Sequence, residues 1–224
     1  IVTNDPDTGD TLTITAPTLP AWLSLTDNGN GTASLTATPL NANVGVHNVT
    51  LRVNDGTTDV DQVFTVTVTN TNDAPFFTST PVTSASEDTL YTYAITTSDL
   101  DLGDTLTITA PTLPAWLTFT DNGNGTATLT GTPTNAQVGI HNVTLRVSDG
   151  TANVNQVFAI DVGNTNDLPS FTSTPVTTGT EDAAYTYNVT TTDPDTGAVL
   201  AITTPTLPAW LSLTDNGDGT ATLT

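Results

Sequence analysis

Residues 105–133 read TLTITAPTLPAWLTFTDNGNGTATLTGTP. Residues 11–39 read TLTITAPTLPAWLSLTDNGNGTASLTATP, and residues 199–224 read VLAITTPTLPAWLSLTDNGDGTATLT. The tryptophans of these copies, Trp22, Trp116 and Trp210, are spaced by 94 residues in both steps. HNVTLRV recurs at His47 and His141, and NTND at Asn70 and Asn164, with the same offset. A period of 94 residues is too long for a solenoid unit and close to one β-sandwich domain of about 100 residues. The repeats are therefore read as whole domains in series. Asn-Asp-Ala-Pro at 72–75 and Asn-Asp-Leu-Pro at 166–169 mark the joints, because proline fixes φ and cannot extend a strand ladder.

The expected domains are 1–74, lacking its first strands, 75–168, complete, and 169–224, lacking its last strands. This pattern reads as a window on a longer array. In the middle repeat, Phe76 to Val82 is expected as an opening edge strand. Tyr91, Tyr93 and Ile95 alternate with polar residues, as do Leu106 and Ile108. So do Val143, Leu145 and Val147, and Phe158, Ile160 and Val162. DNGNG at 121–125 is a hairpin signal. Seven period-2 segments separated by Gly, Pro, Asn and Asp predict an all-β chain of tandem Ig-like or cadherin-like antiparallel sandwiches. Trp116 is expected to plug the core between the two sheets.

The charge balance narrows the function. Of 224 residues, 23 are acidic and 2 basic, for a formal net charge of −21. Nucleic acids and anionic membrane surfaces carry the same sign and are poor partners. With no Cys, disulfides, thiol catalysis and Cys-ligated zinc are excluded, and two His leave little for acid–base chemistry. No apolar run approaches the roughly 20 residues of a membrane span. No nucleophile–base–acid set is visible, so no enzymatic activity is expected.

The acid gathers at recurring positions. Asp99, Asp101 and Asp104 are matched by Asp5, Asp7 and Asp10 and by Asp193 and Asp195; Asp149-Gly150 is matched by Asp55-Gly56. Asn72-Asp73 and Asn166-Asp167 lie in the joints, and Glu87-Asp88 recurs at Glu181-Asp182. If strand direction alternates, the joint, the turn after the second strand and the last hairpin share one end of a domain. Asn72, Asp73, Asp99, Asp101 and Asp149 could then converge, with Asn166, Asp167, Asp193 and Asp195 as the next set. Glu87 joins that second set from the far end of the middle domain if the opening strand bulges or crosses over.

Carboxylates about 4 Å apart repel by about 4 kcal/mol per pair at an effective dielectric near 20. The chain holds only Arg52 and Arg146 to compensate. A hard divalent cation fits better, and Ca2+ fits better than Mg2+, because it takes 6–8 oxygen ligands in irregular geometry. The competing reading is that Asp, Asn and Gly are ordinary solvated turn residues. Recurrence of the acid at joint, turn and hairpin favours metal. The DNGNG and DNGDG segments are read as hairpins. Asn30, Asn48, Asn124, Asn142 and Asn188 lie in Asn-x-Thr sequons, glycan sites only in a host that uses them. His47 and His141 are read as packing or loop residues.

LPAWL, a hairpin, then GTPTNAQVGIHNVTLRVSDG and NTNDxP occur here in the order seen in the dystroglycan-type cadherin-like domain, which the chain resembles over its whole length. Such domains stand in tandem in large bacterial surface and secreted proteins, and cadherin-like sandwiches bind Ca2+ between successive domains. The resemblance implies that Asp99 and Asp101 act as an Asp-x-Asp ligand pair and Asp149 as the ligand of the last hairpin. Asn72 and Asp73 would be linker ligands and Glu87 the acid near a domain start, with Asp5, Asp7 and Asp55 their counterparts one repeat earlier. The Asp-Arg-Glu motif of true cadherins is absent, with TPTNAQVG in its place, and the linker is shorter, so fewer or weaker ions are expected. The function expected is structural: part of an extracellular adhesin stalk or secreted filament, in cell adhesion or biofilm, stiffened by Ca2+. Its partners would be neighbouring domains, other copies exchanging strands, or glycans. The alternatives are a module that binds carbohydrate or a receptor, and an accessory domain of an enzyme.

Overall fold

The computed structural model describes residues 1–7 and 9–224. Two compact units emerge: Ile1–Pro75 with the loops Asp99–Thr105 and Asp149–Ala152, and Phe76–Ser98 with Leu106–Ser148 and Asn153–Thr224. Among the described residues the chain is all-β, and the helical segments are short 3-10 turns.

In the first unit, β1 (Thr13–Thr18), β4 (Gly45–Asn54) and β5 (Asp59–Val68) form an antiparallel sheet with β4 central. The short strands β2 (Ser24–Asp27) and β3 (Ala33–Thr36) pair as a hairpin. Ile14, Ala33, Val49 and Leu51 are buried at alternate positions of their strands, as period-2 patterning requires.

The second unit contains a complete sandwich. One sheet runs β10 (Thr118–Asp121), β11 (Thr126–Gly131), β8 (Tyr91–Ser98), β6 (Phe76–Phe77). The other runs β7 (Ser84–Ser86), β13 (Asn153–Gly163), β12 (Gly139–Ser148), β9 (Thr107–Thr112). Tyr91, Tyr93, Ile95, Ala127 and Leu129 from the first face Ile108, Val143, Leu145, Val147, Ile160 and Val162 from the second, in one buried cluster. Seven expected segments are eight strands. The expected opening strand Phe76 to Val82 is a strand only at Phe76–Phe77, and the next short strand, Ser84–Ser86, lies on the other sheet. Pro81 between them has no N–H to donate to a ladder. Ser79 Oγ is engaged with the Tyr93 hydroxyl and donates to Thr96 O. The chain crosses over there, and β7 pairs parallel with Asp161–Gly163 at the far end of β13. That crossover carries Glu87 toward the following joint.

Trp116 is not the central plug expected. It is half-buried on the flank of the core, edge-on to Tyr91 and His141. The core is filled by aliphatic residues and by Tyr91 and Tyr93, whose hydroxyls reach Val82 O and the Gln156 side chain. Burial pushes the Tyr91 phenol up to about 12, with Tyr93 adding to it.

The third repeat supplies β14 (Ser170–Phe171), β15 (Tyr187–Thr192), β16 (Leu213–Asp215) and β17 (Thr220–Leu223), ordered β14-β15-β17-β16. Its buried cluster is small, built on Val189, Ile202 and Ala221. Trp210 is 68% exposed here, edge-on to Tyr185.

Candidate metal centre

The second unit holds the best-built site. After β7, Glu87 N–H donates to Gly163 O, and Thr165 N–H donates to Glu87 Oε1. Asp88 takes a left-handed φ of 57° and donates its N–H to Pro133 O. The first bond holds the Glu87 backbone at the end of β13, and the last ties the same turn to Pro133, beyond β11. Glu87 is only 1% exposed, and its Oε2 is buried with no hydrogen-bond partner among the described residues. Carboxylate oxygens of Glu87, Asp167 and Asp195 lie within 4.8 Å of one another. Asp167 N–H donates to Asp195 Oδ2 (2.8 Å), and Asp195 N–H donates to Asp193 Oδ1 (2.8 Å). Asn166 Nδ2 donates to Asp167 O. The third repeat's loop, the joint and Glu87 thus share one seam.

In the first unit, Asp99, Asp101 and Asp104, all from one loop, form another trio within 4.8 Å. Asp101, 5% exposed, accepts from Asp73 N–H at Oδ2 (2.6 Å), while Asp99 Oδ1 accepts from Asp101 N–H (2.9 Å). Asp99 Oδ2 is buried without a partner among the described residues. The Asp104 carboxyl, although exposed, is held above the usual carboxylate range, first by partial desolvation and then by the charges of Asp101, Asp99 and Asp149. Asn72 Nδ2 donates to Asp149 Oδ2 (3.0 Å). Asp149 is held below the usual range, chiefly by the N–H of Ala152. Asp149 is tied to the seam through Asn72 and stands outside the carboxylate trio.

Asp5, Asp7 and Asp10 make a third, more exposed trio. Asp55 is engaged by its own hairpin: Thr57 and Thr58 N–H groups and the Thr57 hydroxyl donate to its Oδ1, which lowers its pKa. The DNGNG turns are hairpins. Asp121 Oδ1 and Oδ2 accept from Gly123 and Ile108 N–H groups, leaving no crowded acid.

Two residues of these seams escaped the sequence reading. Asn41 Nδ2 donates to Asp73 Oδ2 and, at 3.4 Å, to Asp101 Oδ1. Asn135 Nδ2 donates to Asp195 Oδ1 (3.1 Å). Both open 3-10 turns, Asn41–Asn43 and Asn135–Gln137, in the TPLNANVG and TPTNAQVG segments that stand in place of an Asp-Arg-Glu motif. The visible signal was the same Asn at the same repeat offset in TPLNANVG and TPTNAQVG.

The donor set is all oxygen, acidic and without a protein cation. Arg52 pairs with Asp59 and Asp61 on β5, and Arg146 Nε donates to Asn155. An orphaned, buried Glu87 oxygen beside two carboxylates suits a hard divalent ion such as Ca2+.

Among solved structures, similarity is found to an endo-fucoidan hydrolase of glycoside hydrolase family 107, at 28% identity and a TM-score of 0.41. That match covers 98% of this chain and 35% of the hydrolase, so the chain spans about a third of its length. Human protocadherin-24 EC1-2 matches at 20% identity and a TM-score of 0.44, covering 74% of this chain and 87% of that one. A chimeric titin Z1Z2 tandem matches at 13% identity and a TM-score of 0.33, covering 68% and 84%. A search of curated proteins found no match. No helix among the described residues is long and apolar enough to cross a membrane. The family model described as "Putative Ig domain" (He_PIG) matches residues 1–69 and again 74–163, so this chain belongs to that Ig-domain family, in tandem copies.

Proposed function

We propose that this chain is a structural repeat segment of an extracellular or cell-surface array, in which Ca2+ at the acid seams stiffens the series of sandwiches. Tandem Ig-like domains are a structural or adhesion-type module, and the chemistry of the seams supplies the finer reading. In the second unit Glu87, Asp167 and Asp195 would hold the ion, with Asp193 and Asn166 adjoining. In the first, Asp73, Asp99, Asp101 and Asp104 would do so, with Asn72 and Asp149 alongside. The ion supplies positive charge where the chain has none, so carboxylates that repel when bare become a shared attachment. Adhesion stalks, secreted filaments and biofilm matrices are the settings such a module suits.

The observation that carries this reading is Glu87: 1% exposed, one oxygen unpartnered, and within 4.8 Å of two further carboxylates. Burying a bare carboxylate oxygen is unfavourable unless something compensates. Small-angle scattering of the 224-residue chain, with calcium and then with chelator, tests it. The expected result is a longer, narrower distance distribution with calcium that broadens on chelation. Identical distributions would refute the proposal.

A further inference from the structure

We propose that Asn135, and its repeat counterpart Asn41, are exchange ligands of the seams. The amide nitrogen donates to the seam's aspartate. When a divalent cation binds, the same side chain presents its amide oxygen to the ion. This rests on the seams taking such a cation.

The turn that carries each Asn is fixed independently of the seam. In the second unit Gln137 N–H donates to Thr134 O, and Val138 N–H donates to Asn135 O. Thr134 N–H donates back to Gln137 Oε1, and His141 Nε2 bonds Gln137 O. The first unit builds the same turn from other residues. Leu40 N–H donates to Asn43 Oδ1, and His47 Nε2 bonds Asn43 O. Position 40 is Leu where 134 is Thr, and 43 is Asn where 137 is Gln, yet 41 and 135 are both Asn. The turn tolerates changes at its own capping positions, so turn-making does not explain the choice at 41 and 135.

The seam does explain it. Asn135 Nδ2 donates to Asp195 Oδ1, and Asn41 Nδ2 to Asp73 Oδ2. Each is a neutral donor placed where a cation would be wanted. In the second unit the independent sign of a missing ligand is Glu87 Oε2, buried and unpartnered beside Asp167 and Asp195. Asn is the residue that serves both states: its amide has two N–H donors and an acceptor oxygen on one planar group, and amide oxygens are ordinary Ca2+ ligands. An Asp there would add another anion to the ion-free seam, and an Ala would serve neither state.

The test uses the full 224-residue chain with two double variants, Asn41→Ala with Asn135→Ala, and Asn41→Asp with Asn135→Asp. Ca2+ alone is titrated by calorimetry, and thermal midpoints are read in chelator. The Ala pair is expected to bind Ca2+ about tenfold more weakly, equivalent to about 1.4 kcal/mol. The nearly isosteric Asp pair is expected to move the two readouts in opposite directions, with a lower midpoint in chelator and tighter Ca2+ binding. A residue that only shaped the turn would lower the midpoint without that split. Wild-type affinity in the Ala pair, or an unchanged chelator midpoint in the Asp pair, overturns the assignment while leaving the seam reading intact. A wild-type chain that takes no Ca2+ removes both.

Discussion

Glu87→Gln separates the two states of the second unit's seam, because it removes a charge without changing shape. Glu87, Asp167 and Asp195 present oxygens within 4.8 Å of one another. At that separation and an effective dielectric near 20, each like-charge pair repels by about 3.5 kcal/mol. Asp167 and Asp195 are half-buried, so solvent screening reduces the relief from one neutralised carboxylate to about 1–2 kcal/mol. The new amide can also donate to its acidic neighbours, while Thr165 N–H keeps its acceptor in Oε1. In chelator, Glu87→Gln should therefore raise the melting midpoint, by about 2–4 °C per kcal/mol. With calcium the order should reverse. A wild-type chain that binds the ion should gain about 2.7 kcal/mol at a hundredfold excess over Kd, and the variant, short of one charged ligand, should gain less. Differential scanning fluorimetry of both chains in chelator and in calcium reads all four midpoints. A variant less stable than wild type in chelator, or one with the full calcium response, would refute the reasoning.

The first unit should show the same logic through pH. Asp104 has a raised pKa in the folded state, so folding favours its protonated form. In chelator, stability should rise as pH falls through that raised value, and Asp104→Asn should abolish the rise. Asp149 has a lowered pKa, so its contribution is present above the usual carboxylate value and is lost as pH falls through the lowered one. Thermal midpoints against pH should therefore climb and then drop. Leu145→Ala, at a fully buried position between the sheets, should destabilise the second unit by about 2–5 kcal/mol in urea unfolding. Gly131→Ala would place a Cβ 2.2 Å from Trp116 O and should cost about 1–3 kcal/mol in the same assay. The first repeat has Ala37 at the matching position, and there β3 stops at Thr36 whereas β11 runs on through Gly131.

Much of the fold was legible because each sheet face writes itself in alternation. Val143, Leu145 and Val147 read as one buried face and are one. The opening strand was less legible. Phe76 to Val82 looks extended, but which sheet it joins depends on Pro81 and on Ser79 bonding across to Tyr93 and Thr96. These contacts are tertiary and leave no period in the sequence. The same holds for Trp116: a large aromatic among alternating residues reads as a plug, but its place on the flank is set by Tyr91 and His141 on other strands. The acid seams were visible as repeated Asp and Glu, since charge without Lys is conspicuous. Asn41 and Asn135 were not visible as seam residues, because a polar residue after Pro-Leu or Pro-Thr reads as a turn and its target is about 60 residues away in sequence for both Asp101 and Asp195.

The central claim is that a divalent cation neutralises the seam built by Glu87, Asp167 and Asp195. Anomalous diffraction from crystals grown with calcium addresses it most directly. The account predicts a peak at about 2.3–2.6 Å from Glu87 Oε2 and from carboxylate oxygens of Asp167 and Asp195. A map with no peak there, and with Glu87 Oε2 bonded to water or to a protein donor, would contradict it.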